Sequence, residues 1–256
     1  MNDRIMVGFR NEEALKRARV MSEREFPVVN IFYDDNHTYA VVDMSDEKVF
    51  ANYIRALTRY IIDRYETKIL KRIILKNHPD IPHITVNEIL KLKENENLTE
   101  RRMVIEDILK EYFTENESGS VEGIVNFRLY EYKKILNSMA ENMIDLYYLN
   151  REYDDFVELL RYFISVQTLR PELVFITVNN YGMYNVFNEK REDITKSALA
   201  EIMHPDEAEN IAYDDLLISI LISLAPKKIV VENRERIKNK QLFETIEKVF
   251  ENVEYK

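Results

Sequence analysis

Residues 46–76 read DEKVFANYIRALTRYIIDRYETKILKRIILK, and Val49, Tyr53, Leu57, Tyr60, Ile61, Tyr65, Ile69 and Ile73 recur through them at helical spacing. A stripe of that length predicts one long helix from Asp46 to about Lys76, capped by Ser45 and packed as a spine against other helices. Asn77-His78-Pro79-Asp80-Ile81-Pro82-His83 ends it, because two prolines this close remove backbone donors and deny helical geometry.

Upstream, Ile5 to Phe9 reads as a strand, Glu12 to Glu25 as a helix and Val28 to Tyr33 as a second strand. Turn chemistry at Asp34-Asp35-Asn36-His37 then returns the chain as a third strand, Tyr39 to Asp43, completing a βαββ unit. Downstream, a short helix Val86 to Lys93 precedes a polar stretch, and Thr99 caps a helix to about Glu115. Asn116-Glu117-Ser118-Gly119 forms a loop, Ser120 caps a helix to about Asn150, and another helix spans Tyr153 to Gln167.

Pro171 marks a change. Leu173 to Asn179 and Met183 to Asn188 read as a hairpin around Asn180-Tyr181-Gly182. Helices at Ile194 to Met203 and Tyr213 to Leu224, a strand at Lys228 to Glu232, a helix at Arg236 to Glu251 and a terminal run Val253 to Tyr255 complete the chain. The expected fold class is α+β: a predominantly helical middle flanked by an N-terminal βαββ unit and a C-terminal β-hairpin/α/βαβ region. Its expected divisions, 1–44, 45–170 and 171–256, pack as one composite domain.

Composition narrows the function classes. With no cysteine among 256 residues, disulfides, thiolate nucleophiles, iron–sulfur clusters and thiolate zinc sites are excluded. Four glycines leave no phosphate-cradling G-x-x-x-x-G-K loop and no G-x-G-x-x-G, and H-E-x-x-H and G-x-S-x-G are also missing. No cofactor is therefore expected. The longest uncharged apolar run, Leu216 to Pro226, is too short for a membrane span. Met1 to Arg10 has no apolar core of signal-peptide length, so the expected location is cytoplasmic. A formal net charge of −10 opposes nonspecific attraction to nucleic acid.

Several constellations remain as candidates. Arg128 falls in the stripe Ile124, Val125, Tyr132, Ile135, Leu136 and Met139, where a charge needs a partner: an anion or protein ligand, with Glu122 and Asn126 nearby, or a carboxylate on a neighbouring helix. Arg151 and Arg161 sit in a charge-laced helix as ligand contacts or as a salt-bridged face. A basic face, Arg64, Lys68, Arg72 and Lys76, repeats every four residues and suits either a phosphate backbone or solvent. His78 and His83 lack a third ligand, and the acidic run after His204, ending at Asp214-Asp215, reads more readily as a solvated loop than as a cation site; no metal is expected.

Two stretches carry a family likeness: Glu122-Gly123-Ile124-Val125-Asn126-Phe127-Arg128-Leu129 with Tyr132, and Arg151 through Phe163. With Asp214 to Ser219 and Leu224 to Ile229, they resemble the YtxC-like family of sporulation proteins of spore-forming Firmicutes, over about the C-terminal three fifths of the chain. The resemblance implies a cytosolic, sporulation-associated protein and brings no established activity, cofactor or catalytic residue. It strengthens Glu122, Arg128, Arg151 and Arg161 as candidates, because they lie inside the matching stretches.

The leading expectation is a non-enzymatic interaction protein with a protein partner or a second copy of itself. The alternatives are an enzyme or sensor with an anion pocket lined by Arg128, Arg151 and Arg161, and nucleic-acid binding through the basic helix face, the least favoured.

Overall fold

The computed structural model describes residues 4–10, 28–33, 37–43, 46–93, 97–202 and 212–256. Contacts divide the chain into two units, Met1–Tyr148 and Leu149–Lys256, each with its own four-stranded sheet and its own apolar core. Among the described residues there are eight α-helices, and the expected α+β class with a helical middle holds. Among the described residues the two strand-bearing ends do not share a sheet.

In the N-terminal unit, Arg4–Phe9 (β1) turns Ile5, Val7 and Phe9 inward with the two-residue period of a strand. It pairs antiparallel with Thr38–Asp43 (β3), which pairs antiparallel with Val28–Tyr33 (β2). The expected helix from Glu12 to Glu25, the turn at 34–36 and the capping Ser45 lie outside the described residues.

Where a loop was expected at Asn116 to Gly119, Ser118–Ser120 (β4) forms a short strand parallel to β1. The cause is tertiary, since the open side of β1 carries backbone groups that need partners. Gly119 admits the Tyr112 ring against this strand, because a Cβ there would lie 2.6 Å from it.

The long helix forms as Glu47–Asn77 (α1), with the Asp46 carboxylate accepting from the Lys48 N–H at 2.7 Å. It is followed by His83–Ile89 (α2), a 3₁₀ turn at Leu90–Leu92, and Leu98–Glu115 (α3). The region expected as two helices joined near residue 150 is divided elsewhere. Val121–Phe127 (α4) is capped by Ser120 and stops at Arg128, and Tyr130–Ser165 (α5) then runs unbroken past Asn150. No glycine or proline sits at Arg128-Leu129. A continuous helix would turn Arg128, three residues after Val125 and four before Tyr132, into the core; the break leaves Arg128 exposed and buries Leu129 completely.

At the centre of this unit, among Ile61, Leu70, Ile105 and Leu136, lies a charge cluster. The Glu66 carboxylate of α1 is 1% exposed and Arg101 of α3 is 2% exposed, with Arg101 Nε 3.2 Å from Glu66 Oε2. Lys93 Nζ stands 3.1 Å from Oε1, and the Tyr132 hydroxyl of α5 donates to Oε2 at 2.6 Å. Burial first, and then the Glu66 charge, push the Tyr132 hydroxyl well above the usual tyrosine range, so it remains a proton donor.

In the C-terminal unit, Val174–Val178 (β5) and Tyr184–Phe187 (β6) form the expected hairpin, with Gly182 at φ +82 in its turn. Thr195–Ile202 (α6) and Tyr213–Leu224 (α7) lead to Ile229–Glu232 (β7), which lies parallel to β5. The helix expected from Arg236 begins later, as Lys240–Val249 (α8), after a separate 3₁₀ turn at Arg234–Arg236, and Asn239 caps it by accepting from the Leu242 N–H at 3.1 Å. Val253–Tyr255 (β8) then joins β7 in parallel, giving the order β6-β5-β7-β8. The core combines Val157, Leu160 and Ile164 of α5 with Ile176, Val231, Leu221 and Ile246.

The buried cluster yields a stability prediction. Glu66→Ala leaves Arg101 buried without its carboxylate and should lower unfolding free energy by about 3–5 kcal/mol. Glu66→Leu combined with Arg101→Met should cost much less, because both charges leave together. Urea unfolding of the two variants checks the contrast.

Candidate functional site: a cationic groove in the N-terminal unit

On α1, Tyr65, Lys68, Arg72 and Lys76 follow one another at i, i+3, i+7 and i+11, a spacing that keeps them on one helix face. Alongside lie Tyr130, Lys133, Lys134 and Asn137 from the start of α5, and Glu122, Val125 and Asn126 from α4. Together with Arg10, just after β1, they line a groove of about 760 Å³. Its cationic lining is Arg10, Lys68, Arg72, Lys76, Lys133 and Lys134; Glu122 is its carboxylate.

The cations are poorly compensated. Lys134 pairs with Glu131 at 3.0 Å, whereas Lys68, Arg72, Lys76 and Lys133 make no ion pair among the described residues. Lys133 Nζ donates to the Asn126 carbonyl at 2.7 Å. Partial burial, and then the nearby Arg72 charge, hold the Lys133 ammonium below the usual lysine range. At one end of the groove the Tyr65 hydroxyl donates to Glu122 Oε1 at 2.7 Å, and burial followed by that carboxylate raises Tyr65 above its ordinary range. At the other end Asn77 Nδ2 donates to Asn137 Oδ1 at 2.9 Å. Chemically, such a lining can neutralise and orient an anion.

The candidate residues distribute unevenly. Lys68, Arg72 and Lys76 of the basic face line this groove together with Glu122 and Asn126, whereas Arg64 is exposed outside its lining. Arg128 is also exposed and outside it, with its guanidinium 5.7 Å from the centre of the Tyr112 ring. In the C-terminal unit Arg151 is exposed. Arg161 donates from Nε to the Lys248 carbonyl at 2.7 Å and lines a separate cavity with Arg170 and Lys227. His78 meets Glu141 at 2.8 Å; the run 204–209 lies outside the described residues, among which no cluster suits a metal.

Lys133, Lys134 and Arg10 escaped sequence reasoning because they reach the groove from separate elements. Glu66 and Arg101 carried a usable signal. Glu66 sits four residues after Ile62 and three before Ile69, a charge within an apolar stripe as Arg128 is.

Arg128 gives a direct comparison. Exposed and stacked near one ring, it should contribute only about 0.5–1 kcal/mol, so Arg128→Ala should barely move the urea midpoint. A loss of several kcal/mol would mean a buried charge pair instead.

Neither the curated proteins nor the solved structures offer a match to this chain. Among the described residues no helix is long and apolar enough to cross a membrane. The YtxC-like family matches residues 51–253, a span that starts within α1 and takes in the α1, α4 and α5 walls of the groove and nearly all of the C-terminal unit. With that span matched, the chain belongs to the YtxC-like family.

Proposed function

We propose that this is a non-enzymatic, sporulation-associated protein of the cytosol whose N-terminal unit binds a phosphate-bearing anion in the groove between α1 and α5. The observation that carries the reading is the convergence of Lys68, Arg72, Lys76 and Lys133, none ion-paired among the described residues, on one cavity. Like charges held together raise the energy of the charged forms, and the Arg72 charge adds to the larger effect of partial burial in holding Lys133 below its usual range. A bound polyanion offsets it. The sporulation setting follows from the family resemblance, and the cytosolic one from sequence composition and the same resemblance.

Calorimetric titration of the full chain with inorganic tripolyphosphate should show binding that weakens as ionic strength rises. Replacing Lys68, Arg72 and Lys76 together by Gln should weaken it by roughly ten-fold or more, with thermal stability unchanged or raised. Full retention of affinity in that variant would overturn the assignment.

A second reading, docking of a protein partner or a second copy, rests on the C-terminal half of α5 and Val166 just beyond it. There Phe156, Leu159, Tyr162, Phe163 and Val166 remain 45–62% exposed, the apolar four of them at the three- and four-residue spacing of a helical seam. On this reading, sedimentation of the full chain shows a species heavier than a monomer, alone or with partner, that Phe156→Asp with Phe163→Asp abolishes.

A further inference from the structure

We infer that the groove's ligand is a small nucleotide-like molecule, carrying at least two phosphates at one end and a hydroxyl or amino donor at the other, rather than a nucleic acid. The inference rests on the anion-binding reading above and adds the ligand's size, polarity and recognition group.

Size comes first. A cavity of about 760 Å³ falls in the range of small-molecule clefts. The helical rise of about 1.5 Å per residue places Tyr65 and Lys76 roughly 16 Å apart along α1, enough for a nucleoside with a short phosphate chain. No glycine-rich loop is available, so phosphates would be held by side chains and not by backbone amides.

Polarity follows from the order of residues along that face. Four of the six cations, Lys68, Arg72, Lys76 and, across from them, Lys133, occupy the stretch from Lys68 to Lys76, whereas Glu122 is tied to Tyr65 beyond their N-terminal end, the end toward which the pairing of Gly8 with Ser120 carries Arg10. A carboxylate repels a phosphate, so Glu122 is misplaced for a ligand that is phosphate throughout. It suits a ligand whose other end donates hydrogen bonds.

The state of Glu122 supports this role. Its Oε1 accepts from Tyr65, while Oε2 is shielded from solvent and has no hydrogen-bond partner among the described residues. A shielded acceptor without a donor costs about 1–3 kcal/mol. The terminal torsion of a glutamate is soft, so the carboxylate can turn an oxygen toward the groove at little cost. A ribose hydroxyl or an exocyclic amine would then satisfy it.

The charge of the whole molecule argues against a long polyanion. A ligand contained in the groove meets the local cations, whereas a nucleic-acid strand leaving it enters the field of a chain with net charge −10.

The test titrates the full chain with adenosine triphosphate, guanosine triphosphate, inorganic tripolyphosphate and a twelve-nucleotide single-stranded DNA, each also against Arg72→Gln and Glu122→Gln. The expected result is that a nucleoside triphosphate binds roughly ten-fold or more tighter than tripolyphosphate. Arg72→Gln should weaken both. Glu122→Gln should close the gap from both sides, weakening the nucleotide and leaving tripolyphosphate unchanged or tighter, since one negative charge has been removed.

A purely structural Glu122 would move both ligands together, which would overturn its assigned role. Equal affinities for nucleotide and tripolyphosphate would overturn the ligand class and leave the anion groove standing. Tighter binding of the DNA, lost in Arg72→Gln, would replace the small molecule by a nucleic acid. Binding of none of the four would overturn the groove reading itself.

Discussion

A carboxylate almost wholly removed from water is the constraint on which the N-terminal unit depends. Glu66 belongs to α1, and its neighbours come from three other places: Arg101 on α3, Tyr132 on α5, and Lys93 just after the 3₁₀ turn. Apolar burial supplies most of the cohesion but has no direction. The charge cluster does have direction. A slide of α3 or α5 by one turn along α1 would leave Glu66 buried without its donors, a far greater penalty than a changed set of apolar contacts. The register of the helices is thereby tied to one residue.

The same helix performs a second task on another part of its circumference. A period of 3.6 residues sends Glu66, Leu70 and Ile74 inward while Lys68, Arg72 and Lys76 face outward along one ridge. With α1 and α5 held by the cluster, the ridge is fixed opposite Lys133, and the two rows of cations bound a shared groove. Arg72 and Lys133 are held near each other at an energetic cost, an arrangement that a flexible surface would relax and a rigid one keeps. Membership of the YtxC-like family supplies no chemistry, and the proposed ligand rests on the convergence of these cations on one cavity together with that electrostatic cost.

The C-terminal unit follows different rules. Parallel pairing of β5, β7 and β8 requires helical crossovers, which α6, α7 and α8 provide, and both faces of the central strands bury apolar residues, Val174, Ile176, Val178, Ile229 and Val231 on one and Phe175 and Val230 on the other. The long α5 serves both cores, giving Leu136, Ala140 and Met143 to one and Val157, Leu160 and Ile164 to the other.

Much of the secondary structure was determined by the sequence by itself. The stripe from Val49 to Ile73 specified α1, the prolines at 79 and 82 its end, and alternating apolar residues β1 and β5, because these signals are local and each helix or strand period reads directly from spacing. The basic face from Lys68 to Lys76 was legible for the same reason. Only tertiary structure decided that Ser118–Ser120 is a strand, since its partner lies more than a hundred residues earlier, and that the helical middle breaks at Arg128 with no breaker residue there. It alone paired Glu66 with Arg101, and it alone brought Lys133 and Glu122 to the ridge on α1. Charge pairs and cavities arise between elements distant in sequence, and spacing along the chain carries no record of which faces will meet.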